Sequence, residues 1–196
     1  MRRTVGSLSI PTALGLFAVL QVAGQGTKPA LENTMNQIES AFNSQGTTSW
    51  TETIPDLFGA TYTMTSSLTE VKADSSACSL SWSSVYTSSD SKVVESYSVN
   101  LATVSNVSVQ PYSQYRKSDY RLKFEVSPET YVVVVKTDSP IVGKRESYQK
   151  NKLKGPTKLP NDRQARVLFS NELTANGAGD GIRQASKICA ANRSGP

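Results

Sequence analysis

The two cysteines of this 196-residue chain, Cys78 and Cys189, constrain its fold more than any other feature. Cys78 begins an alternating segment, Cys78-Ser79-Leu80-Ser81-Trp82-Ser83. Cys78, Leu80 and Trp82 share one face of it and the serines the other. A period of two marks a half-buried β-strand. Cys189 ends a different pattern: Ala175, Ala178, Ile182, Ala185 and Cys189 recur at helical spacing, with Asp180, Arg183 and Lys187 off the stripe. Both sulfurs therefore point at one core, and a bridge between them ties sheet to helix. Two buried free thiols are the other reading; an oxidising compartment favours the bridge. Neither cysteine has a companion at two-residue spacing, so no zinc or redox motif is expected.

The N-terminus points to that compartment. Arg2 and Arg3 form a basic start, Ser9 through Leu20 an apolar stretch, and Val22-Ala23-Gly24 the small residues of a cleavage site before Gln25. Residues 1–24 are thus expected to be a signal peptide, and the protein to be secreted or periplasmic. The rival is an uncleaved anchor over residues 5–23, but Ser7, Ser9, Pro11, Thr12 and Gly15 dilute that run. No later segment is apolar enough to span a bilayer, so no membrane span is expected after cleavage.

Cleavage removes two arginines and no acid, which lowers the net charge from +5 to +3. So mild an excess is not that of an obligate nucleic-acid binder. The remaining 172 residues suit one domain with a sizeable core. Histidine is absent from the sequence, which removes the commonest general base and the commonest metal ligand together.

Leu31, Met35, Ile38 and Phe42 form one helical stripe, so a helix is expected over residues 28–44, stopped at Gly46. Thr47-Thr48-Ser49 reads as a polar link, and residues 25–57 as helix plus linker. The main domain is expected over residues 58–190, with 191–196 as a tail. Between 58 and 137 the alternation recurs in Tyr97, Val99 and Leu101 and in Leu122, Phe124 and Val126. This predicts an antiparallel meander of about seven strands. Tyr131 through Val135 is continuously apolar, as for a strand covered on both faces. Residues 144–166 are rich in Lys and Arg, and Gly155, Pro156 and Pro160 are expected to break regular structure there. Val167-Leu168-Phe169 reads as a last strand and Ser170 or Asn171 as the cap of the final helix.

The expected fold is therefore α+β: a strongly bent antiparallel sheet or open barrel between an N-terminal and a closing C-terminal helix. That order resembles the pleckstrin-homology-like (PH-like) fold. More narrowly, Cys78-Ser-Leu-Ser-Trp82, Val99-Asn-Leu-Ala-Thr-Val-Ser-Asn-Val107 and the ending Phe169-Ser-Asn-Glu-Leu-Thr-Ala-Asn176 with Ile182-Arg-Gln-Ala-Ser-Lys-Ile-Cys189 resemble exported bacterial proteins of unknown function. The resemblance covers most of residues 30–190 and its motifs are architectural. This chain departs from it at Gly177, Gly179 and Gly181, where such helices carry Arg, Val and Ala. Each interior glycine costs about 1 kcal/mol relative to alanine, which would leave the first half of the helix prone to fray or bend. The resemblance implies a fold and no activity.

Candidate sites are few. Asn176 through Gly181 lacks the ending of a phosphate loop, and close packing of the helix explains its glycines better. Ser89-Asp-Ser-Lys92 matches a penicillin-interacting motif without its partner motifs and falls in an expected turn. Glu70, Asp74, Glu95, Glu125 and Glu129 leave carboxylate chemistry formally open, and a secreted hydrolase is the alternative reading. Lys144, Arg145, Tyr148, Lys150, Lys152, Lys154 and Lys158 are the candidate contact residues, for an anionic surface or an envelope protein. Tyr112, Tyr115 and Tyr120 with Arg116, Lys117 and Arg121 form a second aromatic–basic cluster, read as a ligand-facing turn or the cover of a sheet edge. The preferred expectation is an exported, non-enzymatic binding module needing no cofactor.

Overall fold

A computed structural model describes residues 27–54, 60–119, 125–157, 159 and 162–193. The proposed signal peptide, Leu122, Phe124, Tyr120, Arg121 and Lys158 lie outside the described residues.

Helix α1 (Thr27–Ser44) carries the expected stripe, with Leu31, Met35, Ile38 and Phe42 all buried. Gly46 follows with φ +63°, a left-handed conformation that glycine adopts without steric cost. Thr47-Thr48-Ser49 is not the expected link. It opens strand β1 (Thr47–Ile54), where the β-branched Thr47 and Thr48 pair with Ser67 and Ser66, and Ser49 pairs with Thr65. Strands β2 (Ala60–Asp74), β3 (Ser79–Thr87) and β4 (Ser91–Asn100) continue the meander. Short polar turns join them: Asp74 Oδ1 accepts from the Ser76 and Ala77 amides, and the Ser88 amide donates to the Ser91 carbonyl.

Beyond the turn at Leu101–Thr103 come β5 (Val104–Pro111), helix α2 (Tyr112–Asp119), β6 (Glu125–Ser127), β7 (Tyr131–Thr137), β8 (Val142–Gln149), β9 (Lys152–Thr157), β10 (Gln164–Phe169) and α3 (Glu172–Arg193). The strands do not form the single meander expected. The strands divide between two antiparallel sheets, a seven-stranded one in the order β6-β1-β2-β3-β4-β8-β9 and a three-stranded one in the order β10-β7-β5. The larger sheet ends at β6 and β9, so it is not a closed barrel. The basic stretch is not irregular either: β8 and β9 form a hairpin on β4, and Gly155 (φ +110°) and Pro156 are accommodated on the edge strand, where no further ladder bond is needed.

The three-stranded sheet is a middle layer, because β7 is apolar on both faces. Val133 and Val135 join the main core with α1, α3, Leu80 and Trp82, whereas Val132 and Val134 face a second cluster of Trp50, Tyr112, Tyr115 and Leu168. Ala165, Val167 and Phe169 of β10 likewise face the main core.

Helix α3 closes the structure. Asn171 caps it, accepting from the Thr174 amide at 2.8 Å, and Ala175, Ala178, Ile182, Ala185 and Cys189 are buried as the stripe requires. The Cys78–Cys189 disulfide is formed, with Cα atoms 5.8 Å apart. Cys78 lies in the turn just before β3, at φ +50°, and not in the strand itself. The three glycines do not interrupt the helix. A Cβ at Gly179 would lie 2.7 Å from Val109 Cγ2, and one at Gly181 would lie 2.8 Å from Ile38 Cγ1. Close approach of α3 to β5 and α1 thus needs glycine at these two positions, whereas a Cβ at Gly177 meets nothing within 4 Å. Gly177→Ala should therefore raise stability by about 0.5–1 kcal/mol. Gly179→Ala should lower it by about 1–3 kcal/mol through overpacking. Urea midpoints of the two variants check the contrast; equal shifts would refute it.

Candidate functional site

Behind the middle layer, between its Val132, Val134 and Leu168 face and the inner face of the larger sheet, lies a cavity of about 480 Å³. Its walls are built by alternation. Trp50 and Glu52 point inward from β1, Met64 from β2, Tyr86 from β3, and Val93, Glu95 and Tyr97 from β4. Arg145 enters from β8, where it stands directly across from Glu95. The opposite wall comes from Gln164 and Arg166 of β10, one residue out of phase with the buried Ala165 and Val167. Helix α2 contributes Tyr112, Tyr115 and Arg116, which share one face at i, i+3 and i+4.

Charge is concentrated here. Glu95 is buried, accepts from Tyr97 Oη at 2.7 Å, and receives Arg166 Nη2 at 3.3 and 3.4 Å. Arg145 Nε is 3.7 Å from the same carboxylate, an ion pair outside hydrogen-bond range. Glu52, also buried, accepts from Trp50 Nε1 and Arg116 Nη2, each at 3.1 Å. The cavity lining thus holds three arginines and two glutamates. Guanidinium groups stack over the rings as well: Arg166 lies 5.6 Å from the Tyr86 centroid and 5.9 Å from that of Tyr115.

Tyr97 and Tyr112 keep their protons. Burial raises Tyr97 well above the ordinary phenol range, and neighbouring Tyr86 and Glu95 add to it. Burial does the same to Tyr112, reinforced by Glu52. These rings therefore act as apolar walls and hydroxyl donors, not as phenolate bases. The buried hydroxyls of Tyr86 and Ser84 have no hydrogen-bond partner of ordinary geometry among the described residues.

The candidate residues of the basic stretch are separated by the hairpin. Arg145 faces the cavity. Lys144 and Tyr148 lie on the opposite face, both bonded to Glu146, and Lys92 sits over the Tyr148 ring. Lys150 lies in the β8–β9 turn and Lys152 and Lys154 on the exposed edge strand. Lysine and proline on an edge strand also hinder pairing with other chains.

Of the acids singled out in the sequence, only Glu95 reaches the cavity. Glu70 accepts from Ser83, Asp74 from its own turn, and Glu129 from Ser113 of α2. Glu125 is exposed on β6. Glu52 escaped notice because the link reading hid the strand that aims it inward; the Trp50-Thr51-Glu52 spacing was the available signal. Ser89 sits in the β3–β4 turn, not at a helix start. Among the described residues no group of three metal-ligating side chains converges, and no helix is long and apolar enough to cross a membrane. No protein-family model, curated protein or solved structure matches the chain.

Proposed function

We propose that this chain is an exported, non-enzymatic binding module of PH-like architecture, and that its ligand site is the cavity between the two sheets. The observation that carries the reading is the cavity's combination of size and lining. About 480 Å³ falls within the roughly 300–1,000 Å³ of small-molecule sites. Its aromatic walls with a few converging polar groups are the usual composition of such sites. Export draws support from the signal-like N-terminus and from a disulfide, which persists in oxidising compartments.

Glu52 and Glu95 line one cavity, which is the observation in favour of a secreted hydrolase. Both carboxylates, however, are engaged by an arginine and by a Trp or Tyr side-chain donor, an arrangement that holds side chains in place. The outward lysines of the β8–β9 hairpin remain available to an anionic surface or envelope protein, but edge protection accounts for them equally well.

Filling the cavity tests the proposal. Met64→Trp places an indole in the β2 part of the cavity wall, next to Trp50, and changes none of the charged side chains. Small molecules found by ligand-observed NMR in a fragment screen should compete with one another and lose binding in this variant. Hits that survive in the variant, with its thermal unfolding unchanged, would place the site elsewhere.

A further inference from the structure

Arg116 and Glu52 form one close pair, at 3.1 Å, and Arg166 lies 3.3 Å from Glu95. Arg145 then has only a share of a carboxylate already engaged, at 3.7 Å, and its buried Nε donates no hydrogen bond. Among the charged side chains of the lining, one positive charge is therefore in excess. Arg145 is also the outermost of the three, with 34% of its side chain exposed against 26% for Arg166 and 18% for Arg116. A guanidinium one-third exposed, whose charge a shared and distant carboxylate balances only in part, is suited to an anion arriving from solvent.

The rest of the wall limits what can carry that anion. Trp50 and Tyr112 meet edge to face with centroids 5.4 Å apart, and Tyr112 and Tyr115 stack at 6.2 Å. These rings, with Met64 and Val93, offer flat apolar surface. A second negative charge would find Glu52 and Glu95 close by and no further unbalanced cation.

Resting on the cavity being the binding site, we infer that the ligand is a small organic monoanion: one carboxylate-type group on Arg145, with a flat apolar body along the tyrosines. A cation would face the excess guanidinium, and a neutral amide would leave it uncompensated. The preference is thus for charge type as well as shape.

A matched series separates these cases: 3-phenylpropionate, 3-phenylpropanamide, 3-phenylpropylamine and the dianion phenylsuccinate, titrated into the full protein by ligand-observed NMR. The monoanion should bind at one site per chain, at least tenfold tighter than the amide and the dianion, with the amine weakest. Arg145→Gln should abolish the preference for the carboxylate over the amide. Arg145→Lys should retain most of it, and Lys144→Gln, on the opposite face, should change nothing beyond twofold. Equal binding of acid and amide, tighter binding of the amine or dianion, or a preference that survives Arg145→Gln would overturn the inference. If amide or amine binds and Met64→Trp blocks it, the cavity stands as the site with another ligand class. If none of the series binds while other fragments do so in the cavity, the monoanion inference alone fails.

Discussion

Replacing both cysteines, as Cys78→Ser/Cys189→Ser, will lower the unfolding free energy by about 4–5 kcal/mol, the chain-entropy cost of freeing a loop of this length. The bridge spans a sequence separation of 111 residues, so it excludes most extended conformations of the unfolded chain. For a domain whose whole stability is of order 5–15 kcal/mol, such a loss is a large fraction. The native state contributes as well. Cys189 is buried at the end of the α3 stripe, and Cys78 packs at the rim of the main core. Serine hydroxyls there would lose apolar contact and need partners. Urea unfolding of the oxidised protein and the double variant measures the difference, and the slope m should rise in the variant because its unfolded chain is less compact. A loss below about 1 kcal/mol would mean that α3 is held by packing alone and that the bridge adds nothing.

That bridge was legible because one cysteine began and the other ended a pattern whose face could be assigned. The same holds for α1, for the strands carrying Leu80, Trp82, Tyr97 and Val99, and for the doubly covered β7: each has a pattern, periodic or in β7 unbroken, that burial imposes and the structure keeps. Legibility failed where pairing with distant chain decided the outcome. Thr47-Thr48-Ser49 is polar enough for a link, yet β2 offers it a full ladder. The β8–β9 segment looks broken by Gly155 and Pro156, yet it lies at a sheet edge, where such residues are tolerated. The division into two sheets has no local signature at all, since it depends on which strands meet. The cavity was half visible. Tyr112, Tyr115 and Arg116 stood out as an aromatic–basic cluster, and their i, i+3, i+4 spacing is that of the short helix α2. Arg145 was singled out with the wrong companions, because a linear run of cations does not say which of them faces inward. Glu95 and Arg166 are 71 residues apart, and nothing in either neighbourhood announces the other.

Arg166→Met will be among the most damaging single substitutions in the molecule outside the disulfide, at about 3–5 kcal/mol, because it strands a buried carboxylate. Glu95 is 1% exposed and loses both contacts from Arg166 Nη2, while Arg145 stays at 3.7 Å. The cation's stacking on Tyr86 and Tyr115 disappears with it. Glu95→Gln/Arg166→Met removes the stranded charge as well as its partner, so the double variant should recover much of the loss. A coupling energy of several kcal/mol in the double-mutant cycle would identify the pair as one structural unit. Arg145→Gln should cost far less stability, since Arg145 is the more exposed and the more distant partner of Glu95. The two arginines are thereby assigned opposite work: one compensates a buried acid, and the other keeps its charge for a ligand. Urea midpoints of Arg166→Met, Glu95→Gln, the double variant and Arg145→Gln decide the matter. If Arg145→Gln destabilises as much as Arg166→Met, both cations serve Glu95 equally, the excess charge is spread over the pair, and Arg145 loses its claim to be the anchor.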